Sequence, residues 1–221
     1  MERHFDEELA LLKEKLLHMA DISQQMIGLA IRCLKEREET LARNVFELEE
    51  KVNHLEIEIE DEALRLLALR QPAARDLRFL TAALKISNDV ERIGDQACNI
   101  SETALYLLKE PSLKPLIDIP HMANLAQWMV RSSLDAFVNH DAGIARQVCE
   151  EDDKVDRIND QIFRELLTYM MEDPKSITRA VDLILVSRNL ERVADHATNI
   201  AEEVIFIEEG KNIKHHTADI G

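Results

Sequence analysis

Two stretches of this chain repeat the same acidic and amide residues at the same helical spacing. The oxygen-bearing residues are Glu91, Asp95 and Asn99 in the first stretch and Glu191, Asp195 and Asn199 in the second. Residues four apart on a helix lie about 40° apart around its axis, so each set forms a ladder of oxygen ligands. Crowded carboxylates repel one another unless a cation compensates them. Hard oxygen donors without cysteine indicate Mg, Ca, Mn or Fe rather than structural zinc.

The alternative interpretation is that the ladders are ordinary solvated faces. Ile86, Val90 and Ile93 mark the inward side of the helix, which places Glu91 and Asp95 roughly opposite the core. On a solvated face Glu and Lys exchange freely, yet both stretches keep acids at the same positions. The duplication therefore favours metal sites at the surface of the helices.

The preceding helix of each half adds further acids. These are Glu50, beside Asn53, in the first half and Asp153, Asp156 and Asp160 in the second. If this helix neighbours the ladder helix, the two acidic rows converge along one groove, and the second half has the stronger site. The predicted metal ligands are Glu50, Glu91, Asp95, Asp153, Asp156, Asp160, Glu191 and Asp195.

Two residue types beside the ladders are predicted to have other roles. His196 turns about 100° away from Asp195 and is not expected to be a ligand. Arg92 and Arg192 are expected to brace neighbouring acids through ion pairs rather than contact a substrate.

Catalysis is unsupported: a di-iron carboxylate enzyme uses Glu-x-x-His motifs, and none of the eight histidines follows a glutamate by three residues. No glycine-rich phosphate loop or nucleophile elbow occurs either. We predict no catalytic residue and no organic cofactor.

Composition and charge restrict the class of protein. The 221 residues include five Gly, five Pro and only 4% aromatics, which is typical of a helical bundle. A formal net charge of −16 disfavours nucleic acid and anionic lipid as partners and favours cations or basic protein surfaces. The three widely spaced cysteines are expected to be small core residues in a reducing compartment. Without a signal peptide or a membrane-length apolar run, the chain is expected to be cytoplasmic and not inserted in a membrane.

The apolar periodicity predicts three helices in each half and no strand. In the first half, the first helix covers about 5–35. The second is capped by Thr40 and ends near Gln71, and the third starts with Pro72 and ends near 109. In the second half, Asp141 begins the second helix and Asp173-Pro174 begins the third.

The two halves match along their length. Lys51-Val52 matches Lys154-Val155 at an offset of 103, and the ladders match at an offset of 100. The predicted fold is all-α, with two tandem antiparallel three-helix bundles related by an internal quasi-twofold repeat. The predicted divisions are a first bundle over 1–110, a linker over 111–120, a second bundle over 121–209 and a frayed tail over 210–221.

At these residues the chain resembles the PhoU family of cytoplasmic regulators of phosphate uptake, and the resemblance covers nearly the whole chain. Its most specific segments are Gln71-Pro72-Ala73-Ala74-Arg75-Asp76-Leu77-Arg78, Leu84-Lys85-Ile86, Glu91-Arg92-Ile93-Gly94-Asp95 with Asn99-Ile100, and Glu191-Arg192-Val193-Ala194-Asp195 with Asn199-Ile200. The opening Phe5-Asp6-Glu7-Glu8-Leu9 is similar to the start of the family.

The resemblance implies that a Glu/Asp-x-x-x-Asp motif binds multinuclear iron, or manganese, magnesium, calcium or zinc, at the surface of each bundle. The motif falls on Glu91 and Asp95 and on Glu191 and Asp195, and the helix-two acids correspond to Glu50, Asp153 and Asp156. The chain departs from the family at Asn53, where an acid is expected, and at Ala194, where a glycine is expected. Asn53 leaves the number of metal ions in the first bundle open.

The resemblance also implies a role and partners. It implies a negative regulator that links a phosphate ABC transporter, through its ATPase subunit, to a sensor histidine kinase, often as a homodimer. The leading hypothesis is therefore a metal-binding helical adaptor that represses phosphate-starvation signalling. The second hypothesis is a metal-free structural adaptor whose acidic faces bind basic partner surfaces, and a carboxylate-metal enzyme is the weakest of the three.

Overall fold

The computed structural model describes residues 2–72 and 74–210, and these contain six α-helices, one short 3-10 helix and no strand. The α-helices are α1 (Glu2–Glu36), α2 (Glu39–Arg70), α3 (Ala74–Leu107), α4 (Asp118–Asn139), α5 (Ala142–Glu172) and α6 (Ile177–Glu209). This confirms the predicted all-α fold with three long helices in each half. The predicted frayed tail lies outside the described residues except for Gly210. No helix in the described ranges is long and apolar enough to cross a bilayer.

The helices form two bundles that share one core. Helices α1, α2 and α3 pack on one another, as do α4, α5 and α6, and the bundles meet where α3 packs on α6 and α1 on α4. Buried apolar side chains from all six helices belong to a single cluster. The contacts therefore run in the order α2, α3, α6, α5, which leaves one groove on each side of the central α3/α6 pair.

Polar contacts fix the relative position of α3 and α6. Lys85 Nζ donates to both carboxylate oxygens of Glu203 at 3.0 and 3.1 Å. Asp89 Oδ1 accepts from Asn199 at 3.1 Å and lies 2.9 Å from His196 Nδ1. Glu203 is almost wholly buried, so its charge is compensated inside the contact between the bundles, as a buried carboxylate requires.

Local capping explains where the helices begin. Asp141 accepts from the backbone N–H groups of Gly143 and Ile144, which confirms it as the start of α5. Asp173 likewise accepts from Lys175 N and leads through a 3-10 turn into α6. The prediction that Thr40 caps α2 is wrong, because α2 begins at Glu39 and the Thr40 hydroxyl donates to the Glu38 carboxylate at 2.6 Å.

The junction between α2 and α3 also differs from the prediction. Gln71 ends α2 in the left-handed conformation, with φ 48° and ψ 53°. Pro72 is not helical and α3 begins at Ala74, so the prediction that Pro72 is the first residue of α3 is wrong by two positions. A left-handed residue reverses the chain direction before the proline, and the new helix starts only after that turn.

The carboxyl end of α3 is capped by a side chain from the α1–α2 turn. Arg37 Nη2 donates to the carbonyl oxygens of Leu107, Leu108 and Glu110 at 3.3, 2.8 and 2.7 Å. Arg37 is itself left-handed, with φ 59°. Its guanidinium supplies donors to carbonyls that have no partner within the helix.

Candidate metal centres

The groove between α5 and α6 gathers the acids of the second bundle. Asn159 on α5 sets the alignment of the two antiparallel helices, because its amide nitrogen donates to Glu191 Oε2 at 3.0 Å and its oxygen accepts from Ser187 at 2.8 Å. One to two turns further along, Asp152 and Asp156 of α5 lie beside Glu191 and Asp195 of α6. After burial, the charge of Asp195 raises the pKa of Asp152, and the charge of Asp156 raises the pKa values of Glu191 and Asp195. The two acidic rows of the second bundle therefore meet in one groove.

These carboxylates resist joint ionisation. Burial, and then the charges of Asp195, Asp156, Asp153 and Glu191, raise the pKa of Asp152 to about 6. Burial followed by the charge of Asp156 raises the pKa values of both Glu191 and Asp195. Burial, Asp153 and Asp160 likewise raise the pKa of Asp156. Arg192 opposes the shifts at Glu191 and Asp195 without cancelling them. The groove thus holds negative charge that the chain does not fully compensate.

The groove between α2 and α3 repeats the arrangement in the first bundle. Burial, and then the charges of Asp95 and Glu56, raise the pKa of Glu91, with a smaller contribution from Glu49. Here a guanidinium compensates part of the charge: Arg92 lies 3.6 Å from Glu91 and 3.2 Å from Asp95. The prediction that Arg92 braces the acids is confirmed.

The ladders do not point straight away from the core, and that prediction is wrong for Glu91 and Asp95. Their side chains are only 17% and 31% exposed, whereas Asn99 is exposed. The reason is that α3 has a neighbour on both flanks, α2 and α6, so its solvent face is narrow and the acids lie at the edge of α2. In the second bundle Glu191 is half-buried and Asp195 is exposed.

The helix-two acids lie partly elsewhere than predicted. Glu50 and Asn53 are exposed on α2, and the acids that act on Glu91 are instead Glu49 and Glu56. In the second bundle Asp153 and Asp160 are exposed beside Asp156, while Asp152, which the sequence reasoning missed, is the most perturbed acid of the groove. A sequence signal existed, since Glu49 and Asp152 are both acidic at the repeat offset of 103.

Other neighbours of the ladders are accounted for by packing. His196 turns toward α3 and lies against Asp89. The three cysteines are free, with Cys33 and Cys98 buried and Cys149 half-buried. A Cβ added to Gly94 would meet Met26 and Val52 at an ordinary 3.5 Å. Ala194, the departure from the family pattern, is the equivalent residue of the second bundle and is fully buried.

The donor set suits a hard cation, but the ligand shell is not preassembled. Within residues 2–72 and 74–210, no three His, Cys, Asp or Glu side chains are gathered closely enough to hold a metal ion as they stand. The uncompensated carboxylates nevertheless provide the oxygen donors that such cations prefer. Binding would require the groove side chains to rotate toward one another.

Comparison with known proteins gives one consistent match. The sequence model described as "PhoU domain" matches twice, over residues 16–104 and 119–204. A Pseudomonas putida protein named phosphate-specific transport system accessory protein PhoU homolog is 40% identical over 214 residues, covering 96% of this chain and 84% of that protein. An Aquifex aeolicus protein of the same name is 42% identical over 208 residues, covering 94% of each.

Solved structures agree with these sequences. The crystal structure of PhoU from Pseudomonas aeruginosa superposes with a TM-score of 0.91 at 39% identity, covering 94% of this chain and all of that one. The phosphate transport system regulatory protein PhoU from Streptococcus pneumoniae gives a TM-score of 0.86 at 26% identity, over 94% and 98% of the two chains.

Proposed function

The chain belongs to the PhoU family, and from that premise we propose that it acts as a regulatory accessory protein of phosphate transport. The relatives named as phosphate-specific transport system accessory proteins align with it over 84% and 94% of their lengths. We assign it no catalytic role, because these relatives are named accessory proteins. The free cysteines suit the reducing conditions of the cytoplasm, which we propose as its compartment.

The specific role we propose is that of a negative regulator. It would contact the ATPase subunit of a phosphate ABC transporter and a sensor histidine kinase, as a homodimer. Deleting the gene should raise the expression of phosphate-scavenging genes in phosphate-rich medium, and an intact copy should restore repression. Expression that stays at the repressed level after deletion would remove this role.

The adaptor is proposed to bind metal in both grooves. Asp152, Asp156, Glu191 and Asp195 would hold it in the second bundle, and Glu49, Glu91 and Asp95 in the first. A bound di- or trivalent cation, iron in the first instance, would supply the positive charge that the carboxylates lack and join the two helices of each groove. The observation that carries this proposal is the pKa of Asp152, raised to about 6 mainly by burial and by surrounding acids.

Metal analysis of protein purified without chelator tests this assignment. The double variant Asp152→Asn with Asp195→Asn should lose the metal of the second bundle and retain that of the first. Glu150→Gln is the matched control, because Glu150 is exposed on the same helix as Asp152. Metal content that is unchanged in the double variant, with the helical circular dichroism intact, would show that the groove is not the site.

A second candidate function is favoured by one contact. In the first groove Arg92 lies against both Glu91 and Asp95, so these acids pair with a guanidinium. A metal-free adaptor whose acidic grooves accept basic residues of a partner is the corresponding function. Variants that cannot bind metal can be tested for repression in cells. If they still repress the phosphate-scavenging genes, this second candidate is favoured.

A further inference from the structure

A cavity of about 230 Å³ opens at the end of the molecule where the two bundles meet. It lies between the first turns of α1 and α3, the turn between α4 and α5, and the end of α6. Its lining combines basic and apolar side chains, namely Lys13, Arg75, His140, Leu9, Phe79 and Ile207. Asp76 is the one acid of the lining, whereas the whole chain has 43 acids against 27 lysines and arginines. The charge of the cavity thus runs opposite to that of the protein, which favours an anionic ligand.

Lys13 brings a positive charge to this cavity without a carboxylate to compensate it. Its Nζ donates to the carbonyl oxygen of Val138 at 2.6 Å and lies 5.9 Å from the centre of the Phe137 ring. No acid among the residues that the structure describes pairs with this ammonium, and burial lowers its pKa. An ammonium group has three donors, so two remain for a ligand. A half-buried cation with unused donors is stabilised by an anion.

Arg75 and His140 converge on one carboxylate at the edge of the cavity. Glu208 Oε1 lies 3.2 Å from Arg75 Nη2 and 2.8 Å from His140 Nδ1, and Glu208 Oε2 lies 3.2 Å from the same Arg75 nitrogen. The two basic groups are therefore close enough to act on one anion together. A guanidinium has five N–H donors, and Glu208 engages only Nη2 of Arg75. Donors of Arg75 thus remain for a second oxyanion.

The start of α3 adds a favourable electrostatic field. Arg75 and Asp76 belong to its first turn, where the backbone N–H groups have no acceptor within the helix. The positive end of this 34-residue helix therefore lies at the cavity. The end of α6 has the opposite polarity, and Arg78 compensates it, because its Nε donates to the carbonyl oxygen of Ile207 at 3.2 Å.

The opposite end of the molecule shows that the fold does not require such a cavity. At the repeat offset of 103, Lys13 corresponds to Leu116 and His140 to Arg37. Leu116 and Arg37 line a cavity of only about 30 Å³. The Arg37 guanidinium there is engaged by three backbone carbonyls. The open cavity and the uncompensated lysine therefore occur together, at the same end of the molecule.

We propose that this cavity binds a phosphate group, as inorganic phosphate or carried by a small organic molecule, with Lys13, Arg75 and His140 as donors. Arginine and lysine are the side chains that proteins use to recognise phosphate oxygens. Asp76 would select phosphate among oxyanions. A phosphate group keeps a proton for part of the time near neutral pH, and a carboxylate can accept it, whereas sulfate has no proton to donate. The choice of phosphate rests on the proposed function, and it names a molecule to which a regulator of phosphate transport would respond.

Titration calorimetry on the full-length protein tests the proposal, after chelator treatment so that metal in the grooves cannot hold the anion. Inorganic phosphate should bind about tenfold more tightly than sulfate, the difference made by one hydrogen bond to a charged group. Lys13→Met should weaken phosphate binding about tenfold for the same reason. Lys15→Met is the matched control, because Lys15 lies on the same helix but pairs with Glu58. Asp76→Asn should reduce the preference for phosphate over sulfate, which a purely structural role of Asp76 would not do.

Two further measurements locate the site and identify the source of the phosphate group. Methyl NMR should show a shift at Ile207 when phosphate is added, with Ile117 near the opposite end unmoved. Glycerol phosphate is then titrated in place of inorganic phosphate. Binding at least as tight as that of inorganic phosphate would assign an organic monoester as the ligand, and weaker binding would assign inorganic phosphate.

Three results would overturn the proposal. Phosphate binding that is unchanged in Lys13→Met, with the helical circular dichroism intact, would place the anion elsewhere. Equal affinity for phosphate and sulfate would show an adventitious ion only. Neither heat nor an Ile207 shift with inorganic phosphate or glycerol phosphate would show that no site exists. If Lys13→Met does not fold, Arg75→Gln makes the same comparison at an exposed residue.

These outcomes are separable from those of the proposed function. Derepression after gene deletion, together with purified protein that binds no phosphate group, would refute the cavity proposal and keep the regulatory role. Phosphate binding in the cavity without any effect of deletion would do the reverse.

Discussion

The amide of Asn159 donates to the carboxylate of Glu191 at 3.0 Å, and this contact joins α5 to α6 at the edge of the acidic groove. The equivalent residue in the first bundle is Glu56, whose charge instead raises the pKa of Glu91. One groove therefore has a neutral brace where the other has an additional acid. The two sites differ in charge and are expected to differ in affinity for cations.

The raised pKa of Asp152 predicts that this carboxylate destabilises the metal-free fold at neutral pH. A carboxyl whose pKa in the folded state lies above its ordinary value of 3.8 does not lower the free energy of unfolding below about pH 4. The free energy of unfolding then falls as the pH rises to about 6, where the folded protein must ionise the group. The full shift corresponds to about 3 kcal/mol, which solvent screening of this half-buried group reduces to about 1–2 kcal/mol. Asp152→Asn should therefore raise the unfolding free energy by about 1 kcal/mol at pH 7.

Thermal unfolding measures this effect. The Asp152→Asn protein should melt about 2–4 °C higher than the parent at pH 7 and at the same temperature at pH 4. Glu150→Gln should leave the melting temperature unchanged at both values. A gain for Asp152→Asn that persists undiminished at pH 4 would assign the effect to packing rather than to ionisation.

Cation binding is expected to reverse the same repulsion. Adding Mn²⁺ or Fe²⁺ to chelator-treated protein should raise its melting temperature, because a ligand at 100 times its dissociation constant adds about 2.7 kcal/mol. The gain should shrink in the Asp152→Asn, Asp195→Asn double variant. Titration calorimetry gives the number of sites, and an identical thermal gain in parent and variant would place the cation outside the second groove.

Loss of the Arg37 cap is predicted to destabilise the end of α3. Arg37→Ala removes the Nη2 group that contacts the carbonyls of Leu107, Leu108 and Glu110, at a cost of about 1–3 kcal/mol for hydrogen bonds from a charged group. Arg37→Gly loses the same donors but relieves the left-handed conformation, so it should be more stable than Arg37→Ala by about 1 kcal/mol. Urea titration ranks the three proteins, and equal stability of parent and Arg37→Ala would show that water replaces the cap.

The turn before α3 offers a prediction of the opposite sign. Gln71 is left-handed and exposed, a conformation that glycine adopts without strain. Gln71→Gly should stabilise the protein by about 0.5–1 kcal/mol, and Gln71→Val should destabilise it by a similar amount. Chemical denaturation of both variants checks the sign of each change.

Sequence reasoning anticipated the repeat and the six helices because apolar periodicity and offset matching depend only on spacing. It identified the ladder acids for the same reason. A helical wheel of α2 assumes one core direction and therefore selects Glu50, which lies opposite the core. In the bundle α2 has two neighbouring helices, and the acids of the groove lie at the edge between core and solvent, where Glu49 is found. The predicted starts of α2 at Thr40 and of α3 at Pro72 were wrong because several neighbouring residues can begin a helix. The start of α3 depends on the left-handed conformation of Gln71, which has no sequence signal of its own.

The contact between α3 and α6 has a consequence for how the chain could be divided. The segment between Leu107 and Asp118 belongs to no helix, and a break within it would leave Lys85–Glu203 and Asp89–Asn199 intact. Each half would keep three helices, and the buried charge of Glu203 would still need its partner from the other half. Two separately produced half-chains should therefore reassociate into the whole protein, which makes the connecting segment a natural position for a split reporter.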